Sequence, residues 1–205
     1  MGAETGLEGV VFLAVDSVAG VAALVVAAPR EDGNQEKLMN LMRIIRHLVT
    51  GQSAVKRAFP PNTLNTIKQA IARSETTHSG EIVFAVEAAL DISLLLKNHF
   101  SRERAIDVFS LLRVWDTEQN NGVMIYLLMA DHSVEIIADR GIYTRMEQAE
   151  WDAACHTMET AFSQGQFEQG ILSGIDVITR VLQQYFPANS AGKRKSELSD
   201  YPVVL

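Results

Sequence analysis

The chain has 205 residues, 47% of them hydrophobic, a net charge of −7 and a pI near 5.2. That is enough apolar content for one sizeable core, and one compact domain is expected. The acidic balance argues against nucleic-acid binding, which needs a basic face to neutralise phosphates; the one basic cluster, Lys193-Arg194-Lys195, sits in a polar tail. The single cysteine, Cys155, excludes an intramolecular disulfide.

Residues 1–40 form an uncertain N-terminal extension or apolar segment. Val10 to Ala28 is apolar apart from Asp16 and Ser17, close to the roughly 20 residues a membrane span needs. No Lys or Arg precedes it, so it makes a poor secretory signal. It reads as a membrane anchor, as an extra element of the domain, or as an extension upstream of an internal start at Met39 or Met42; the third is preferred. Arg30 to Lys37 reads as a linker. The expected location is the cytoplasm, with membrane association left open.

The domain proper spans 41–187. Leu38 to Leu48 predicts a short amphipathic helix with Leu41, Ile44, Ile45 and Leu48 on one face. Arg43, Arg46, Lys56 and Arg57 give it a positive bias that suits a surface helix or, less readily, a membrane-surface contact. Pro60-Pro61-Asn62 predicts a helix start with Asn62 as N-cap, running to about Thr76. His78-Ser79-Gly80 reads as an exposed turn. Glu81 to Glu87 reads as a core strand around Ile82, Phe84 and Val86. Ser101 is expected to cap a helix to about Leu112, with Ala105, Val108 and Phe109 inward.

The next stretch carries the most information. Val123 to Ala130 is an apolar run too short for an ordinary helix, bounded by Asn120-Asn121-Gly122 and Asp131-His132-Ser133. It reads as a strand buried on both faces. Val134 to Ala138 follows as a second strand, closing a hairpin. Asp131 and His132 then occupy a mobile tip. Asn120, Asn121, Asp139, Arg140 and Gly141 gather at the open end, and a crossover setting the Glu81 strand parallel to the Val123 strand adds Ser79 and Glu81. Thr144-Arg145-Met146-Glu147 fits a capping box opening a helix to about Ser163, with Met146, Ala153, Ala154, Met158, Ala161 and Phe162 inward. A last helix carries Phe167, Ile171, Ile175, Ile178 and Leu182. Residues 188–205 read as a polar tail. The order describes an α/β sandwich with a small mixed β-sheet flanked by helices.

Four stretches resemble the TPM domain family, named for a thylakoid lumen phosphatase, a photosystem II repair protein and a receptor modulator. Ser79-Gly80-Glu81-Ile82 resembles the start of its first strand, and Arg104 to Phe109 its central helix. Asn120 to Ile125 with Val134-Glu135-Ile136 and Arg140-Gly141-Ile142 is similar to its hairpin and glycine-bearing turn. Phe162 to Phe186 resembles its terminal helices. The likeness covers about residues 50–187 and suggests a short stand-alone bacterial form. It implies an α/β fold with an acidic pocket; some members bind calcium and some have been called acid phosphatases. Here Asn120 stands where the family has an acid, which weakens a site for a hard cation.

The candidate metal ligands are Asp116, Asn120, Asn121, Asp139 and Glu81, with Ca2+ as the candidate ion and Arg140 as a candidate phosphate holder. An EF-hand is excluded, because from Asp116 the Gly falls seventh and the twelfth residue is Leu127. Equally, Asn120-Asn121-Gly122 is ordinary turn chemistry. No P-loop, G-x-S-x-G or H-E-x-x-H is present, and no nucleotide cofactor is expected. His132 lies beside only the tip acid Asp131, Cys155 reads as a small buried hydrophobe, and no catalytic residue is assigned. Two functions follow: a non-catalytic module binding a protein or membrane-associated partner, or a divalent-cation-dependent phosphatase at the acidic edge.

Overall fold

The computed structural model describes residues 32–145, 148–188 and 196–205, with residues 32–37, 148 and 150 described by backbone only. The segment Val10 to Ala28, Met146-Glu147 and Lys193-Arg194-Lys195 lie outside the described residues.

Four strands make one mixed sheet in the order β3-β2-β1-β4. They are β1 (Glu81–Glu87), β2 (Gly122–Leu128), β3 (Ser133–Ala138) and β4 (Val203–Val204). β1 and β2 run parallel, Glu81 opposite Gly122, and β2 and β3 form the antiparallel hairpin, Val123 opposite Ala138. β1 and β2 are buried at every position, as the lack of a polar face in β2 required. Alternation along each strand divides these residues between two layers. Ile82, Phe84, Val86, Ile125 and Leu127 meet α3 (Pro61–Ser74), α7 (Gln148–Ser163) and α8 (Phe167–Tyr185). Val83, Ala85, Met124, Tyr126 and Leu128 meet α5 (Ser101–Leu111) and the short α4 (Ile92–Leu95). The molecule is an α/β sandwich, and both hairpin strands arise where they were expected.

Several local expectations differ. Pro60, not Asn62, is the N-cap of α3, with Pro61 in the first turn, where its missing N–H costs nothing. Phe100 is the N-cap of α5, its N–H held by Glu103 at 3.0 Å. Ser101 instead donates to Glu135 at 2.7 Å and meets Ser133 at 2.9 Å, tying α5 to β3. Thr144 ends the short α6 (Arg140–Tyr143), its hydroxyl on the Arg140 carbonyl, and α7 starts only at Gln148. Trp151 is buried on that helix while Ala153 is exposed.

The largest differences are at the two ends. α1 (Asp32–Val49) begins inside the presumed linker, and α2 (Gln52–Ala58) follows it. α1 packs through Arg43, Ile44 and His47, so Ile44 parts from the other apolar residues of the expected face. His47 is buried, Arg43 half-buried, and Leu38, Leu41, Met42, Ile45 and Leu48 are exposed. The hairpin tip is no mobile loop either. Asp131 accepts from Arg43 at 2.8 Å and from His47 Nε2 at 3.0 Å, with Arg46 at 3.3 Å. At the other end, residues 196–205 return to the sheet as β4, beside Ala85 and Val86 of β1.

Candidate functional site

The open end of the hairpin is built around close backbone approaches. Glu81 N–H bonds the Asn121 carbonyl at 3.1 Å, and Asp139 N–H bonds the Gly122 carbonyl at 2.9 Å. Asn120 sits in the left-handed region at φ 51°, a conformation asparagine tolerates better than most residues. Gly141 lies against it: a Cβ there would stand 2.5 Å from the Asn120 carbonyl oxygen. The glycine is what lets the α6 turn close on the β2 turn.

The two turns enclose a hollow of about 720 Å³ lined by Trp115, Gln119, Asn120, Asp139, Arg140, Gly141, Thr144 and Arg145. Asp139 Oδ1 accepts the Arg140 N–H at 2.6 Å, while its buried Oδ2 has no hydrogen-bond partner. Arg145 lies 4.9 Å over the Phe186 ring. The wall therefore presents one carboxylate and two guanidinium groups, so its charge is not acidic.

Three of the sequence candidates, Asn120, Asp139 and Arg140, share this hollow. The others are placed elsewhere. Asp116 is exposed and ion-paired with Arg113. Glu81 is 2% exposed and faces the α5 layer, accepting from Ser196 Oγ at 3.1 Å and Leu198 N–H at 3.3 Å. Asn121 is fully buried and clips the ends of two strands together: its amide donates to the Ser79 carbonyl at 2.6 Å and its N–H to Thr117 Oγ1 at 3.1 Å. Its Oδ1 has no partner. Trp115, Gln119, Thr144 and Arg145 were not read from the sequence. Trp115 is a half-exposed aromatic directly before the polar run, and that position is the signal that could have marked it.

No cluster of three or more His, Cys, Asp or Glu arranged for a metal occurs among the described residues. A calcium ion takes six to eight oxygens. Within the hollow only the Asp139 carboxylate and the Asn120 amide oxygen offer that chemistry, and they supply one carboxylate.

Histidines and the cysteine stand apart. His78 is buried, not an exposed turn residue. Its Nε2 pairs with Ser74 Oγ at 2.7 Å and its Nδ1 with the Gly80 carbonyl at 3.1 Å, fixing the turn into β1. Cys155 is half-buried, and burial pushes its thiol up to about 12, which suppresses the thiolate.

A family model described as the TPM domain matches residues 55–181. The chain belongs to the TPM domain family. Among solved structures it is similar to the BA42 protein from the psychrophilic bacterium Bizionia argentinensis, at 30% identity and a TM-score of 0.61, covering 70% of this chain and 92% of that one. No curated protein matches the chain. The TPM-domain fold thus places the hairpin's open end, with its hollow, beyond the start of β1 and β2.

Proposed function

We propose that this TPM domain is a non-catalytic binding module whose hollow holds an anionic group of a partner. A weakly bound calcium ion on Asp139 and Asn120 assists, and Arg140 serves as the phosphate or carboxylate holder. The observation that carries the reading is Asp139 Oδ2, a buried carboxylate oxygen with no hydrogen-bond partner in the wall of an otherwise formed hollow. Such an atom is costly unless a ligand satisfies it. The lining residues supply no nucleophile paired with a base, and the Thr144 hydroxyl is engaged by the Arg140 carbonyl at 3.1 Å, which favours binding over chemistry.

Calcium titration followed by NMR tests this. Shifts are expected at Asn120, Asp139 and Gly141 and not at the tip residue Asp131. Asp139→Ala should abolish them with the fold intact, and Asn120→Asp should tighten binding by about tenfold, roughly 1.4 kcal/mol. No calcium response in either the native protein or Asn120→Asp would remove the cation from the reading. The coexistence of Asp139 and Arg140 in one hollow favours one alternative, a cation-dependent phosphatase. Calcium-dependent release of p-nitrophenol from its phosphate ester, lost in Asp139→Ala, would replace the binding reading with that one.

A further inference from the structure

α1 is mounted with Arg43, Ile44 and His47 inward. Arg43 binds Asp131 and donates to the His99 carbonyl at 2.9 Å, while His47 bonds Asp131 and accepts the Leu90 N–H on Nδ1 at 2.9 Å. The opposite side carries Leu38, Leu41, Met42, Ile45, Leu48 and Val49, all between 43% and 76% exposed. Their spacing of three and four makes one continuous stripe along the helix. Scattered exposed apolar residues need no explanation, but a continuous stripe on a helix does.

Charge identifies what covers it. From Leu38 to Ser74 the chain carries six Lys or Arg and no Asp or Glu, so a segment of +6 lies within a chain of net −7. Arg46, 3.3 Å from Asp131 with its side chain still 54% exposed, flanks the stripe at i+4 from Met42 and i+7 from Met39. Lys56 and Arg57 follow, exposed, on α2. An apolar stripe bordered by cations matches the boundary between acyl chains and anionic headgroups. A cationic flank offers no such complement to a second copy of itself, since like charges would meet.

We propose that α1 is a membrane-surface helix that lies in the plane of an anionic bilayer, with Leu41, Met42, Ile45 and Leu48 among the acyl chains and Arg46 at the headgroups. The His47/Arg43 latch onto Asp131 holds the domain against the bilayer.

Co-sedimentation of the full chain with vesicles tests the assignment. Phosphatidylcholine vesicles containing phosphatidylglycerol should retain the protein, and pure phosphatidylcholine vesicles should retain it far less. Leu41→Asp combined with Ile45→Asp, both at exposed positions, should lower the partition coefficient by about tenfold or more at an unchanged melting temperature. Lys56→Glu combined with Arg57→Glu, both at exposed positions of α2, should lower it severalfold, and added salt should weaken binding of the native chain. Leu111→Asp, on the exposed side of α5, should change nothing. Undiminished vesicle binding by the double variant would show that another part of the chain holds the membrane and overturn the proposal. So would failure of the native chain to bind, or a dimer that the double variant converts to monomer without any vesicle association.

Discussion

Glu87 shows how single residues are held in this core. Arg104 grips its carboxylate with two bonds of 2.8 and 2.9 Å, and the Tyr126 hydroxyl donates at 2.6 Å. Burial and the adjacent carboxylate push the Tyr126 hydroxyl well above its ordinary value, so it stays a donor throughout the accessible pH range. Arg104→Ala leaves the carboxylate uncompensated. Arg104 keeps some contact with water, so the cost should be about 2–3 kcal/mol, below the 3–5 of a fully enclosed pair. Tyr126→Phe should cost about 1–2 kcal/mol. Urea unfolding checks both, and equal costs would contradict the ranking. At this scale the sequence was partly legible. Asn120, Asp139 and Arg140 were readable because turn chemistry clusters them on adjoining strand ends. Asp116 was not, since its capture by Arg113 is a surface pairing that leaves no pattern.

Among elements, α1 carries the clearest consequence. His47 accepts the Leu90 N–H on Nδ1, so it is neutral when docked, and a second proton would point at that N–H. Burial, foremost, lowers its pKa from 6.5, with Asp131 acting in the opposite direction. The unfolded chain therefore takes up a proton near pH 6.5 that the docked histidine refuses, and stability should fall as pH drops below that value. At Asp131 burial acts upward, but the hydrogen bonds and charges of Arg43 and His47 together outweigh it and lower the pKa from 3.8, which adds a further loss only as pH falls below the ordinary range. Melting temperature measured from pH 8 to 5 should show the first decline, and His47→Gln should flatten it. An equal slope in the variant would place the titrating group elsewhere. The apolar periodicity of this helix was plain in the sequence, but period alone does not say which side faces inward. That was decided by Asp131, 84 residues from His47.

For the whole molecule, the sandwich was legible because β2 is apolar on both sides and β1 is apolar on both sides between its terminal glutamates, so each must be covered twice. Phe109→Ala removes a side chain 8% exposed from the α5 layer and should cost about 3 kcal/mol by chemical denaturation. A loss below about 1 kcal/mol would mean that α5 covers little of the sheet. The return of the C-terminal segment was illegible, because a strand of two residues has no period to detect. Its effect exceeds its length. Val203 and Val204 lie against Ala85 and Val86, and Leu205 N–H bonds the Val86 carbonyl at 2.9 Å. Without them, the Ala85-Val86 end of β1 would be a bare strand edge, the kind of surface on which strands of separate molecules pair. Ending the chain at residue 195 should leave the two-layer core folded but turn the protein into one that self-associates. Light scattering should rise with time and concentration in that truncation, and adding back residues 196–205 as a peptide in trans should slow it.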